Sequence, residues 1–285
     1  MKGSSSILSF EDQEPGIQRV TLNIKALYPE EFERGEFLNR FDRFRSSDPI
    51  HEEISKQEGD EVTYQTECIV PHKSNGHPTL LFVAGNPASH SVYEKMFFAS
   101  EGKEGLRREH RFWRILGKAD ILSFPSISER ESLDRRNRSR KTALYELSYC
   151  SPFRIGLAVF YTMPSPASKA WAGVDGLRRL FGAEALSRIG ECEKRRMDRT
   201  IRDFVSPNGA VIALQKDAYL GLKDSTSPNY SPKAASDGIL VGRCEREPKV
   251  RLFCTPPTRL LEGKINILVL RCFEKQILHD SSMPT

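Results

Sequence analysis

The 285-residue sequence predicts an α/β protein: a three-layer α/β/α arrangement around a central, mostly parallel four-stranded sheet. Three observations lead there. Four short runs are apolar almost from end to end: Thr79–Ala84, Ile155–Thr162, Ala210–Leu214 and Val250–Cys254. Such runs suit strands buried on both faces, where polar alternation is not needed. Helical patterns stand between them. Each run also stops at Gly, Pro or polar residues, and sheets of this kind bind ligands beyond the carboxyl ends of their strands.

The elements follow in order. Residues 1–60 are polar, acidic in patches (YPEEFERGE), and carry only short apolar clusters. They are expected to form a partly ordered N-terminal extension to a domain over 61–278, with 279–285 as a tail. VTYQTECIV, from Val62, alternates and predicts an edge strand. After Thr79–Ala84, helical spacing covers Arg108–Ala119 and Arg138–Ser148. Glu184–Val205 is the longest predicted helix, with Leu186, Ile189, Met197, Ile201 and Phe204 as its apolar stripe. Arg259–Ile277 closes the chain as a helix, and the Ser/Pro-rich Ser225–Ser236 is a surface loop. There is no internal repeat.

Composition narrows the function. A net charge of +5 is a mild basic bias, compatible with a polyanionic partner. Between Lys103 and Lys141 twelve Lys/Arg face six Asp/Glu, a solvated helix face or a grip on nucleic-acid backbone. No apolar run approaches the roughly 18 residues of a membrane span, and the N-terminus lacks a signal-peptide core. An intracellular protein is expected, cytoplasmic in a prokaryote and nuclear in a eukaryote. The six cysteines form no C-x-x-C pair and the six histidines no H-x-x-x-H pair, so the cysteines read as reduced and structural. Neither a metal nor another cofactor is expected.

The ends of the four runs carry the chemistry: AGNPA (84–88) followed by MFFASEG, FYTMPSPASKAWAG (160–173), LQKDAY (214–219) and CTPPTRLL (254–261). Proline-rich turns with hydroxyls, at Ser165 and Ser168 and at Pro256, Pro257 and Thr258, suit phosphate-backbone contacts without long side chains. Asn86 can orient a water or bond a base edge, Phe97 or Phe98 can stack on a planar ring, and Arg259 can push into a base stack. Each has a plainer alternative. Asn86-Pro87 makes an ordinary strand-ending turn. The phenylalanines and Trp113 make core, and His110 packs a helix. His90 stands at a pocket rim. Asp175 and Asp217 cap helices. Trp171 either walls a pocket or pins its own loop.

The string AGNPA, eight residues, FFASEG, then EHRFWRIL resembles the uracil-DNA glycosylase superfamily. It is most similar to the mismatch-specific and thymine-DNA glycosylase branch, with its G-x-N-P-G, F-A and N-R-F-W pattern. LQKDAY resembles that superfamily's G-K-x-A strand end, and CTPPTRLL is placed like its last motif; the likeness covers roughly 79 to 275. It implies that Asn86 positions the hydrolytic water, that Gly85, Pro87 and Ala88 contact the base, and that Phe98 stacks under it. It implies that Thr255 sits where the family has a base-contacting His or Asn, and that Arg259 fills the stack. Ala84 and Ala88 replace family glycines, and Thr162-Met163 stands near where the family often has Thr-Asn.

Such chemistry fits the residue types. A base in a duplex must be extruded before it can be attacked, and a wedge with phosphate contacts offsets the unstacking. A neutral Asn contributes by holding water in line, so no cysteine nucleophile or metal is required. Lys216, in the G-K-x-A-like stretch, is expected to be structural rather than a Schiff-base nucleophile. The expected activity is a monofunctional DNA glycosylase, acting as a monomer on single- or double-stranded DNA, with uracil the first candidate base. The alternative is a non-catalytic protein of the same fold that binds nucleic acid or a free base or nucleotide. Thr255 and Met163 favour it. A hydrolase or transferase unrelated to DNA has neither a G-x-S-x-G elbow nor a Walker-type loop to support it.

Overall fold

Alternating residues and a tight turn at Gly16 (φ +87°) set up the first hairpin, β1 (Leu8–Glu14) with β2 (Ile17–Asn23), in the computed structural model. The structure describes residues 6–101, 107–205, 209–256 and 264–282. Asn23 caps α1 (Ile24–Leu27) by accepting from the Ala26 N–H. In α2 (Glu31–Ser46), Phe37, Phe41 and Phe44 fall on one face at spacings of four and three. Asp48 caps α3 (Pro49–Ile54), which has its proline in the first turn, where the missing N–H costs nothing. The hairpin β3 (Ser55–Glu58) and β4 (Glu61–Glu67) follows.

Then come β5 (Thr79–Ala84), α4 (Ser89–Tyr93), α5 (Arg111–Lys118), α6 (Leu133–Glu146) and β6 (Arg154–Val159). Next are α7 (Gly173–Phe181), α8 (Ala183–Phe204), β7 (Ala210–Ala213) and α9 (Lys216–Leu222). The chain closes with α10 (Pro232–Ser236), β8 (Val241–Arg243), β9 (Arg251–Cys254) and α11 (Lys264–Ser282).

These elements fall into two compact units that interleave along the chain. The first comprises Met1–Cys68, Asn86–Phe97 and Tyr161–Arg196. Its sheet, order β1-β2-β4-β3, is antiparallel throughout. Val20, Leu22, Val62 and Tyr64 are buried from the sheet, joined by Phe37, Phe41 and Phe44 of α2 and by Leu177, Leu180 and Phe181 of α7. The Phe37 and Phe181 rings stack at 5.5 Å. Tyr28 donates from its hydroxyl to the Phe181 carbonyl, so the aromatic cluster also satisfies its one phenol.

The second unit comprises Ile69–Gly85, Phe98–Phe160 and Met197–Thr285. Its sheet has five strands in the order β6-β5-β7-β9-β8. The first four run parallel, and β8 pairs antiparallel to β9. Every residue of β7 is buried, as are all of β5 except Ala84 and all of β6 except Arg154, which is what their apolar runs dictate.

Two expectations are corrected. The protein is mixed α/β, but it holds two sheets rather than one mostly parallel four-stranded sheet, and the sheet of the second unit is a five-stranded mixed one. The additional sheet comes from residues 8–67, expected to be a partly ordered extension and the start of the domain. The expected boundary at 60 falls in the β3–β4 turn beside Gly59 (φ +57°). Strands that bury one face carry charge on the other, and that charge masked them. VTYQTECIV supplies β4, which lies between β2 and β3 rather than at an edge; only Ile69 beyond it bridges Leu157 of the second sheet. Among the described residues, no helix is long and apolar enough to cross a membrane.

Candidate functional site

In the first unit, backbone pairing gathers Asn86, Pro87, Ala88 and Ser165. Ala88 and Ser165 form a parallel bridge: the Ser165 N–H donates to the Pro87 carbonyl and the Ser89 N–H to the Ser165 carbonyl, both at 3.0 Å. Ser165 is itself pinned, its Oγ accepting from the Gly173 N–H at 2.9 Å. Asn86 is half-buried, and its Nδ2 donates to the carbonyls of Pro87 (3.2 Å) and Met163 (3.3 Å). Two carbonyl acceptors demand the NH2 group on that side, so Oδ1 faces away from them as an acceptor.

A buried polar network lies behind Met163. The Thr162 N–H donates to Glu193 Oε1 at 2.7 Å, and the Thr162 hydroxyl donates to the same oxygen. That hydroxyl has only one proton, so Tyr64, 3.0 Å away, must be the donor to it. Arg196 Nε donates to Glu193 Oε2 at 2.8 Å, which balances a carboxylate that is 0% exposed. Burial, with Glu193 adding to it, pushes the Tyr64 phenol far above its ordinary range. The network fixes Thr162, hence the adjoining Met163 carbonyl, hence the Asn86 amide.

Sequence reasoning missed Tyr64, Glu193 and Arg196. It weighed Met163 for the amide its side chain lacks, whereas the useful group is its backbone oxygen. No side-chain pattern signals a backbone acceptor.

The neighbouring loops make contacts of their own. Trp171 packs edge-on against Phe44 at 5.7 Å, the pinned-loop alternative. Ser168 accepts from the Ala170 N–H at 3.3 Å in a local turn. His51 is 0% exposed, with Nδ1 2.7 Å from the Ser89 hydroxyl, and Nε2 has no hydrogen-bond partner. Burial lowers the His51 pKa to about 4, so the imidazole stays neutral at pH 7. With both members of the pair buried, it braces the start of α4 and offers no nucleophile to a ligand.

In the second unit, Gly85 follows β5 and Thr255 follows β9, both at carboxyl ends of parallel strands with β7 between them. The Thr255 N–H donates to the Ala213 carbonyl at 2.9 Å. Its side chain is 0% exposed, and Oγ1 has no partner among the described residues. Pro256 is buried beside it. Pro257, Thr258 and Arg259 lie outside the described residues.

Phe98 is half-buried at φ +51°, a left-handed conformation that is unusual for a bulky side chain. Its ring lies 4.3 Å from Phe112 and 4.9 Å from His110. Its carbonyl accepts from Trp113 Nε1 at 3.0 Å, and His110 caps α5 by accepting from the Phe112 N–H. Asp175 and Asp217 sit in the first turns of α7 and α9, not at the cap positions, which are Ala172 and Gln215.

Much of the basic stretch serves the fold. Glu101 receives Arg108, Arg111 and Arg114, with Arg111 Nε at 2.6 Å. Burial opposes ionisation of Glu101, but hydrogen bonds from Arg111 prevail and hold its pKa below the usual carboxylate range. Glu109 pairs with Arg136 and Arg140. A cleft of about 630 Å³ carries Arg135 and Arg138 along α6 with Ser139 and Thr142. A second, of about 530 Å³, lies by β8 and β9. None of the sequence-predicted site residues lines either cleft.

Among the described residues there is no group of three or more His, Cys, Asp or Glu arranged to hold a metal ion. The chain matches no known protein family and no curated protein.

Proposed function

We propose that the protein is a monofunctional DNA glycosylase of the uracil-DNA glycosylase type, hydrolysing the N-glycosidic bond of a flipped base, uracil first among candidates. The observation that carries this reading is the tether on Asn86. With Nδ2 given to the Pro87 and Met163 carbonyls, Oδ1 is left as a fixed acceptor for a water. Within the second unit, the strand-end positions of Gly85 and Thr255 and the left-handed backbone of Phe98 support the reading.

A single-turnover excision assay tests it, with oligonucleotides carrying uracil, hypoxanthine, xanthine or mismatched thymine, single- and double-stranded. Asn86→Ala should lower the excision rate by about 10²-fold or more, the scale of losing a positioned water. An unaltered rate would remove Asn86 from the mechanism.

The full burial of Thr255 favours a second reading, a non-catalytic protein of this type that binds nucleic acid or a free base or nucleotide. That protein would excise nothing from any substrate while retaining binding.

A further inference from the structure

The 530 Å³ cleft of the second unit sits at the end of β9 away from Thr255: Arg251 opens the strand, and Thr255 follows its last residue, Cys254. Among its lining residues are Arg243, Lys249 and Arg251, with Thr226 and Ser227. Arg243 and Arg251 are direct cross-strand partners in the β8–β9 pair. Residues opposed in this way project from one face of a sheet, and like charges there destabilise the pair. Lys249, in the connection between the strands, adds a third cation, and no Asp or Glu is among the described lining residues.

The walls hold these charges in place. Arg243 donates from a terminal nitrogen to the Pro248 carbonyl at 3.1 Å, and the Arg251 guanidinium lies 5.3 Å from the Phe253 ring centre. Asp224, the carboxylate behind the Thr226–Ser227 turn, is taken up within the turn: it accepts from both backbone N–H groups and both hydroxyls. Ser227 Oγ in turn accepts from the Arg243 N–H at 2.8 Å. The turn packs directly on β8 at Gly242, where a Cβ would stand 2.5 Å from Ser227 Oγ.

We propose that this cleft is a binding site for a compact anion with two or more phosphoryl groups, such as a pyrophosphate or triphosphate moiety. Phosphoryl oxygens match the guanidinium forks, and Arg243 and Lys249 bring positive charge to the same cleft. The volume is that of a small-molecule site. No aromatic side chain is among the described lining residues, so charge rather than base stacking selects the ligand. The proposal does not rest on the glycosylase reading.

The test titrates the full chain with sodium triphosphate by calorimetry and thermal unfolding, against sodium chloride at matched ionic strength. The expected result is saturable binding of one ligand per chain and a raised Tm. Exposed Arg243 and Lys249 allow the double variant R243Q/K249Q, confirmed as folded by circular dichroism. It should bind about tenfold more weakly or worse, the scale of losing a charged hydrogen bond. K249Q alone keeps the test open if the double variant does not fold, and it should lose several-fold. Asn86→Ala should bind as the wild type does, whatever its excision rate. Binding no stronger than the chloride control, or unchanged in both variants, overturns the proposal. So does a single-stranded oligonucleotide whose binding alone is weakened by R243Q/K249Q, because the cleft would then hold nucleic-acid backbone.

Discussion

The two units differ in how deeply they bury their principal ion pairs. The first combines a cluster of aromatic rings with a buried charged network, Tyr64–Thr162–Glu193–Arg196. The second also packs aromatic rings against its parallel strands, Phe82 on Phe112 and Phe253 on Phe273, and it keeps its principal ion pairs, around Glu101 and Glu109, partly in contact with solvent. An apolar core tolerates volume changes that can be repacked, whereas a buried carboxylate has no fallback once a partner is removed. Removal of Glu193 from the first unit should therefore cost more than removal of Glu101 from the second.

The largest effect expected from this contrast is at Glu193. Glu193→Ala would remove the carboxylate that receives Arg196 in the interior and strip acceptors from the Thr162 N–H and hydroxyl. A loss of about 3–5 kcal/mol is expected, read as a lower midpoint in urea. A loss below about 1 kcal/mol would mean that the network does not hold the first unit together.

His51 gives the next effect. Its pKa falls from an unfolded value of about 6.5 to about 4 in the folded protein. Between these values the unfolded chain binds a proton that the folded chain refuses, so stability falls as pH drops from 6.5 toward 4. The contribution is on the order of 3 kcal/mol, complete below pH 4 and absent well above pH 6.5. His51→Gln should flatten this part of the stability–pH curve, and identical slopes in variant and wild type would refute the assignment.

The smallest effect lies in the second unit. Thr255→Val keeps the side-chain shape and deletes the hydroxyl that has no partner among the described residues. A gain of about 1 kcal/mol is expected, because an orphaned buried polar group is removed. A loss of stability would show that the hydroxyl is paired after all, and a loss of excision with stability kept would tie it to the base.

The second unit was the more legible in sequence. Thr79–Ala84 matches β5, and Ile155–Thr162, Ala210–Leu214 and Val250–Cys254 locate β6, β7 and β9 to within a few residues. β8, three residues around Gly242, is too short to show any periodicity. β1, β2 and β3 escaped notice because their exposed residues, such as Glu11, Arg19 and Lys56, outweigh the buried ones in a composition count. Asn86 was singled out by AGNPA together with FFASEG and EHRFWRIL downstream. Its tether was not, because Met163 contributes a carbonyl that any residue has and Glu193 reaches Thr162 across 31 positions. The Arg243–Arg251 pair is likewise a product of strand register.

The interleaving of the units has a consequence for how the protein is made. The hydrogen bond from Tyr28 to Phe181 spans 153 residues, and the one joining Tyr64 and Thr162 spans 98. On a ribosome, β5 and β6 emerge before the first unit has received Thr162 or Glu193, and β7 and β9 follow only after it is complete. The first unit is complete once Arg196 has emerged, but only with two segments of the second unit looped out of it, and the sequence separations predict slow folding. Neither unit can be excised as an uninterrupted fragment. A single backbone cut between Cys68 and Gly85 would part the first unit's antiparallel sheet from the rest of its chain, and would also take from the second unit residues that belong to it.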